Sequence, residues 1–124
     1  MSITVIKSTD NLTVEQMYFL TLNPSVEKLS DKAGEIIDID AWCLYDDISS
    51  DKNGNEKTST ILAIKTPDNK VFGTNSATFI KSFTDMIDFF KKHGNVDVTR
   101  ILVDGGTSKS GRNFIQCVYA PSNS

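Results

Sequence analysis

The sequence predicts a mainly β domain with helices, and three observations lead to this prediction. The chain has 124 residues, which is the size of one domain with one core. Apolar and polar residues alternate in strand-like fashion over several stretches from Glu35 onward. A single stretch of helical period interrupts those strands before Gly94. With 39% hydrophobic and 23% charged residues, the composition is that of a globular protein.

Residues 1–34 are expected to form a small N-terminal arm of one strand and two helices. Ile3–Ile6 predicts a short strand, and the pair of Thr13 and Gln16 resembles a capping box that begins a first helix. Asn23-Pro24 ends that helix and begins a second one near Ser25–Lys32. The arm is expected to pack on the main body of the protein.

The first strand of the main body is predicted to be long, over Glu35–Ser49. Its alternation places four side chains on one face: Ile37, Ile39, Ala41 and Cys43. Trp42 and Leu44 belong to the opposite face. Asn53-Gly54 predicts a hairpin with a type I′ turn, because both residues tolerate a positive φ. The return strand follows over Thr58–Thr66.

The remaining elements are a third strand at Lys70–Thr74, a helix, and two further strands. The helix is predicted from apolar residues spaced three and four apart: Phe79, Ile80, Phe83, Ile87 and Phe90. The last two strands are Val96–Asp104 and Asn113–Ala120, and a glycine-rich basic loop, Gly105–Arg112, connects them.

This order, β-β-β-α-β-β, is that of the OB-fold, a five-stranded barrel with its helix between the third and fourth strands. A long first strand suits that fold, because it bends to serve both halves of the barrel. The sequence thus predicts an OB-fold domain at 35–120 with an N-terminal helical arm at 1–34 and a short tail at 121–124. An open α+β sheet with the same element order is the alternative.

Catalysis, cofactors and metal ions are not expected. The only histidine, His93, falls in the last turn of the predicted helix, and Cys43 and Cys117 have no metal-ligand spacing around them. Gly106–Arg112 superficially resembles a phosphate-binding loop, but no Lys-Ser/Thr pair and no helix follows its last glycine. No apolar run reaches the length of a membrane span and no secretion signal is visible, so a cytoplasmic location is expected.

Nucleic acid is the partner that the sequence favours. Binding a single strand needs aromatic faces for base stacking beside cations that follow the phosphates. Trp42, Tyr45 and Phe72 are the candidate stacking residues. The candidate phosphate contacts share predicted strands two and three or the loop between strands four and five: Lys57, Lys65, Lys70, Lys109 and Arg112. Core packing is the alternative explanation for the aromatic residues, and solvated strand charge is the alternative for the first three lysines.

The charge distribution restricts where a strand could lie. The net charge is −3, which argues against coating duplex DNA by charge alone. Acidic residues cluster on the first strand and its turn: Glu35, Asp38, Asp40, Asp46, Asp47 and Asp51. We therefore expect nucleic acid to avoid that strand and to cross strands two and three and the basic loop.

Four segments resemble small single-stranded DNA-binding proteins of tailed bacteriophages: Ala41–Tyr45, Lys65–Asp68, Phe72–Ser76 and Gly106–Arg112. The similarity covers Glu35–Tyr119 and does not place the N-terminal arm. It implies a non-enzymatic OB-fold protein that coats single-stranded DNA during phage DNA replication or recombination in the host cytoplasm. A homo-oligomer and contacts with replication proteins stay open. The alternative function is a small phage protein-interaction module, a host-protein binder or DNA mimic without nucleic-acid binding.

Overall fold

The computed structural model describes residues 2–10, 12–22 and 25–120. The protein is mainly β with helices, as the sequence predicted, and it has two α-helices and two sheets. The main apolar core contains side chains from both sheets and from the longer helix. None of the helices in these ranges combines the length and the apolar character that crossing a membrane requires.

The larger sheet has five strands: β1 Ser2–Ser8, β2 Glu27–Lys28, β4 Ala41–Ser50, β5 Glu56–Lys65 and β6 Val71–Thr74. The smaller sheet has three: β3 Ile36–Asp38, β7 Arg100–Thr107 and β8 Asn113–Tyr119. The α-helices are α1 Val14–Thr21 and α2 Ala77–Gly94, and a 3₁₀ turn spans Leu29–Lys32. The spatial orders are β1-β4-β5-β6-β2 and β3-β7-β8.

The long strand predicted over Glu35–Ser49 is broken at Ile39 and Asp40, and its two parts belong to different sheets. The Ile39 N–H donates to the Thr99 carbonyl at 2.8 Å, beside the smaller sheet. The Asp40 N–H donates to the Lys65 carbonyl of the larger sheet, also at 2.8 Å. The chain therefore passes from one sheet to the other at these two residues.

This break changes which side chains share a face. Four residues from the two sides of the break lie in the main core: Ile37, Ile39, Trp42 and Leu44. Ala41 and Cys43 lie in a second apolar cluster on the opposite face of the larger sheet. The predicted grouping of Ile37 and Ile39 with Ala41 and Cys43 is wrong. Before the break the odd-numbered side chains face the main core, and after it the even-numbered ones do.

Helix α2 is confirmed. The Ser76 hydroxyl accepts a hydrogen bond from the Phe79 N–H at 3.2 Å, and a left-handed Asn95 (φ 50) ends the helix. The predicted apolar face packs into the main core. The helix also lies along β8, where the Cys117 N–H donates to the Ser82 hydroxyl at 2.8 Å. Among the described residues β8 pairs with β7 alone, and the two sheets do not close into one barrel.

The predicted N-terminal strand and capping box are confirmed. Strand β1 pairs antiparallel with β4. At the start of α1 the Gln16 N–H donates to the Thr13 hydroxyl at 3.1 Å, and the Thr13 N–H donates to the Gln16 side chain at 3.0 Å. Helix α1 packs over β4 and β5 on the face away from the main core, where it completes the second apolar cluster: Leu20, Ala41, Cys43, Tyr45, Ala63 and Val71.

The helix predicted over Ser25–Lys32 is wrong. This segment contains β2, which pairs in parallel with Phe72 and Gly73 of β6, followed by the 3₁₀ turn. Leu29 in that turn is fully buried in the main core. Tertiary pairing and burial therefore override a weak helix signal. The predicted break at Asn23-Pro24 lies outside the described residues.

The β4–β5 hairpin turn lies where the sequence predicted it, but it is not type I′. Gly54 has a positive φ of 79°, whereas Asn53 does not adopt the left-handed region. The Asp51 carboxylate instead accepts the N–H groups of Asn53 at 2.8 Å and Asn55 at 2.9 Å. This side-chain capping holds a longer turn, so a second left-handed residue is not needed.

Candidate nucleic-acid interface

An open groove of about 550 Å³ lies between the two sheets. One wall is the connection from β6 to α2, at Thr74–Ser76, and the other is the turn end of the β7–β8 hairpin. Ser30 and Ala33, from the 3₁₀ turn and the residues after it, also line the groove. Most of the lining side chains are small and polar, so the groove is accessible to a polar chain.

Phe114 is the aromatic residue in the groove lining. It is half-buried, pairs with Gly106 across the hairpin, and belongs to neither apolar cluster. A Cβ at position 106 would lie 2.6 Å from Cζ of the Phe114 ring and 3.1 Å from Cε1. The ring therefore rests directly on the Gly106 backbone, and any other residue there would displace it.

The turn after β7 is shorter than the predicted loop. Strand β7 continues through Gly105 and Gly106, so the turn comprises Ser108–Arg112. The Ser108 N–H donates to the Arg112 carbonyl at 2.8 Å, and the Arg112 N–H donates to the Ser108 hydroxyl at 3.2 Å. These bonds give the turn a defined shape beside the groove.

Lys109 and Arg112 are exposed in this turn. Neither takes part in a salt bridge among the described residues, and the same holds for Lys28, Lys32, Lys52, Lys57 and Lys92. Six other cations do form salt bridges: Lys7, Lys65, Lys70, Lys81, Lys91 and Arg100. The turn connects Thr107 and Asn113, which both line the groove. Neither residue lines the groove itself, but both lie in the turn that joins two lining residues, and we refer to this turn as the rim of the groove.

Lys70 and Phe72 lie near each other on a neighbouring cavity of about 350 Å³ beside β3. Lys70 is exposed, with its ammonium 4.0 Å from the Asp68 carboxylate. The Phe72 ring is 5% exposed within the main core, and the Lys32 ammonium lies 5.6 Å from its centroid. Phe72 therefore presents little of its ring to solvent.

The other two predicted stacking residues are also buried, on opposite faces of β4. The Trp42 side chain lies in the main core, 5.1 Å from the Phe83 ring centroid in an edge-to-face contact. Tyr45 lies in the second cluster, which α1 completes. Burial raises the pKa of the Tyr45 phenol, and the nearby Asp47 carboxylate adds to that effect.

The two lysines predicted on strand two differ in their surroundings. The Lys65 side chain is 9% exposed, and its ammonium forms an ion pair with Asp40 at 2.6 Å. Lys57 is exposed and faces Ser49 across the β4–β5 hairpin. The structure does not bring either of them to the groove rim with Lys109 and Arg112.

The acidic residues of the first strand are largely engaged within the fold. Asp38 accepts from Arg100 at 2.7 Å, and Asp46 accepts from the Thr60 hydroxyl at 2.6 Å. With the Asp40–Lys65 pair and the capping by Asp51, four of the six predicted carboxylates have partners. Two of the six, Asp38 and Asp40, face a cation, so the net negative charge of this strand is smaller than its composition suggests.

Phe114 and Asn75 line the groove, and neither was among the site residues predicted from the sequence. A signal for Phe114 was present, because the residue follows the basic loop directly and a short turn places it opposite Gly106. An aromatic residue across from a glycine in a hairpin is a recognisable pairing, but the overestimated loop length hid it. Asn75 falls within the Phe72–Ser76 segment of the family resemblance, but its residue type alone does not indicate a place in a groove.

Both cysteines are free and buried, as predicted. Burial raises the pKa of Cys43 to about 11 and that of Cys117 to about 12. No cluster of three or more potential ligand side chains that could hold a metal ion occurs within the described ranges.

We expect slow alkylation of both thiols in the folded protein at pH 8 and rapid alkylation in urea, because the thiolate is the reactive form. The raised pKa values also make stability pH-dependent. The stability that the two buried thiols contribute is fully present below the usual thiol pKa of 9.0. It is lost as the pH rises through about 11 to 12. Mass spectrometry of timed samples counts the modified thiols. Fast modification of both cysteines in the native protein would contradict this burial.

Comparison with known protein families gives a match over residues 3–118 to the family described as Phage Single-stranded DNA-binding protein. A search of curated proteins and a search of solved structures found no significant match. The matched segment includes both walls of the groove, and it also includes β1 and α1, which the sequence resemblance did not place. The chain belongs to the family of phage single-stranded DNA-binding proteins.

Proposed function

We propose that this protein is a non-enzymatic, sequence-tolerant single-stranded DNA-binding protein whose strand binds in the groove between the two sheets. The observation that supports this most is the pairing of an open polar groove with Lys109 and Arg112 at its rim. Both cations are exposed and free of salt bridges among the described residues. Cations in that state can neutralise phosphates without first breaking an internal ion pair.

We treat the fold as an OB-fold in which the DNA strand binds beside, rather than on, the usual strands two and three. If β3 and β4 count as one bent first strand, then β5, β6, α2, β7 and β8 follow in the OB order. OB-folds bind oligonucleotides on strands two and three, between the 1–2 and 4–5 loops. Here α1 covers the outer face of β4 and β5, whereas the groove next to the 4–5 turn is open. We therefore assign the strand to that groove.

Within this proposal Lys109 and Arg112 are the principal phosphate contacts. Lys70 and Lys57 are also exposed but do not line the groove, so they would contact phosphates only outside it. Lys65 would have to leave Asp40 before it could contact a phosphate. We assign it a structural role instead.

The buried aromatic residues are assigned to the stability of the fold. The rings of Trp42, Tyr45 and Phe72 are 7%, 6% and 5% exposed, so stacking on a base would require each to leave a packed cluster. Removing a large buried side chain typically destabilises a domain by several kcal/mol, on the order of 3–5 for an aromatic ring. That is more than the roughly 1–3 kcal/mol that one stacked base returns.

In the infected cell, we propose that the protein coats single-stranded DNA during phage DNA replication or recombination, in the host cytoplasm. Coating needs affinity for the backbone rather than for particular bases. Exposed cations with small polar neighbours meet that need, because phosphate contacts carry no sequence information. Neighbouring copies of the chain and replication proteins are the partners that this role implies.

The direct test is a titration of fluorescently labelled oligo-thymidine, followed by anisotropy, beside a duplex of equal length at several salt concentrations. We expect the single strand to bind more tightly and its affinity to fall as salt rises. Trp42 emission should change little, because the ring lies in the core away from the groove lining. Absence of single-strand binding at low salt would refute the proposal and favour the protein-interaction alternative.

A further inference from the structure

We infer that Phe114 is the residue on which a base of the bound strand stacks, and that Gly106 is the positioning residue that holds its ring in the groove. This inference rests on the proposed function and specifies which side chain of the groove meets a base. None of the aromatic residues singled out from the sequence occupies that position.

Phe114 differs from the other aromatic residues in its surroundings. Trp42, Phe72, Phe79 and Phe83 are buried in the main core. The exposed Phe89 lies 13 positions after Ser76, which places it about 20 Å along the helix from the groove. Phe114 alone among the aromatic residues of the described ranges both lines the groove and stays outside the apolar clusters.

The hairpin fixes the ring in place before any ligand arrives. Gly106 and Phe114 are partners in the β7–β8 register, and a Cβ on Gly106 would come within 2.6 Å of the ring. The next residue, Ile115, is buried in the main core and anchors β8. Since the ring is already supported on one side, stacking on its free surface orders few additional torsions.

The surroundings suit a single strand of any sequence. Every base has a π-face, so an aromatic platform binds without selecting among bases. Lys109 and Arg112 belong to the turn of the same hairpin, so a stacked nucleotide and its neighbouring phosphates would contact one structural unit. A stacked base and phosphate contacts on one hairpin explain how a protein of net charge −3 can hold a polyanion.

The test compares Phe114→Leu and Phe114→Ala with the unaltered protein in the oligo-thymidine titration. Loss of the ring is expected to weaken binding by about 5- to 100-fold, with the salt dependence unchanged because no phosphate contact is removed. The matched control is Phe89→Leu, which removes an exposed ring that does not line the groove, and its affinity should be unaltered.

Gly106→Ala tests the positioning role, since it keeps the ring and changes only what lies beneath it. It should weaken binding in the same range as Phe114→Leu, and the double variant should be no weaker than Phe114→Leu alone. A variant that does not fold would be recognised by its thermal unfolding curve, and Phe114→Leu is expected to fold because its side chain lies outside both clusters.

The outcomes separate the two claims. If the unaltered protein fails to bind, the proposed function fails. If the unaltered protein binds and Phe114→Leu binds equally well, the stacking role of Phe114 is wrong while the proposed function stands. The same conclusion follows if Phe114→Leu binds more weakly and its affinity also depends less on salt. Equal affinity of folded Gly106→Ala and the unaltered protein would overturn the positioning role of Gly106.

Discussion

Replacing Phe83 with alanine is expected to lower the free energy of unfolding by about 4 kcal/mol. Phe83 is fully buried in the main core, contacts the Trp42 ring edge-to-face at 5.1 Å, and stacks on Phe79 at 6.4 Å between centroids. The substitution removes the apolar contacts of the ring and leaves a cavity at the contact between α2 and the sheets. Urea unfolding followed by the emission of Trp42 measures the loss directly, because the only tryptophan is next to the altered site.

Phe89→Ala is the matched control for this prediction, since the same residue type on the same helix is 57% exposed. Its unfolding free energy should change by less than about 1 kcal/mol. A comparable loss in both variants would mean that the effect comes from the helix itself rather than from the core. An unchanged stability of Phe83→Ala would contradict the placement of α2 in the core.

The double substitution Lys109→Ala, Arg112→Ala is expected to weaken single-strand binding by about 25-fold at 0.1 M salt and to reduce the salt slope by about 1.4. The reason is counterion release, which contributes a slope of roughly 0.7 for each phosphate contact on a single strand. The effect should be similar for oligonucleotides of different sequence, because phosphate contacts do not read bases. Anisotropy titrations at four or more salt concentrations give both quantities.

A charge-matched control is available at the last turn of α2, where Lys91→Ala, Lys92→Ala removes the same formal charge at a site that does not line the groove. It should leave the salt slope unchanged. Equal effects of the two double variants would indicate that only net charge matters, and the assignment of the Ser108–Arg112 turn to the interface would then fail.

Local patterns predicted the elements that depend on local chemistry. The three- and four-residue spacing of the apolar residues predicted α2, and the reciprocal hydrogen bonds of Thr13 and Gln16 began α1 where expected. The position of the β4–β5 turn followed from Asn53-Gly54, although its type did not. In each case the deciding interactions join residues at most a few positions apart.

Features that depend on distant parts of the chain could not be predicted in this way. The break at Ile39 and Asp40 is set by hydrogen bonds to Thr99 and Lys65, which are far away in sequence. That break decides which alternate residues face the main core, so the sequence could not tell that Trp42 would be buried beside Phe83. Helix α1 covers Tyr45 through a contact between residues far apart in sequence, so no local pattern predicts it.

The candidate site was predicted in part. Lys109 and Arg112 were expected in the loop between the last two strands, and they lie at the rim of the groove. The predicted stacking residues were Trp42 and Tyr45 on the first strand and Phe72 on the third, and all three are buried. Recognising Phe114 required the hairpin register, which depends on where β7 ends.

The covering of the larger sheet by α1 has a practical consequence for any shortened form of this protein. A chain that began at Glu35 would lose Ser30 and Ala33 from the groove lining and would leave Ala63, Val71 and the ring of Tyr45 facing water. Removing β1 would also leave one edge of β4 without a partner strand over residues 43–48, while the other edge stays paired with β5. Such a fragment would have both an exposed apolar surface and an unpaired strand edge, and each of these features promotes aggregation. Its failure to bind DNA would therefore not identify which residues of the groove contact the strand.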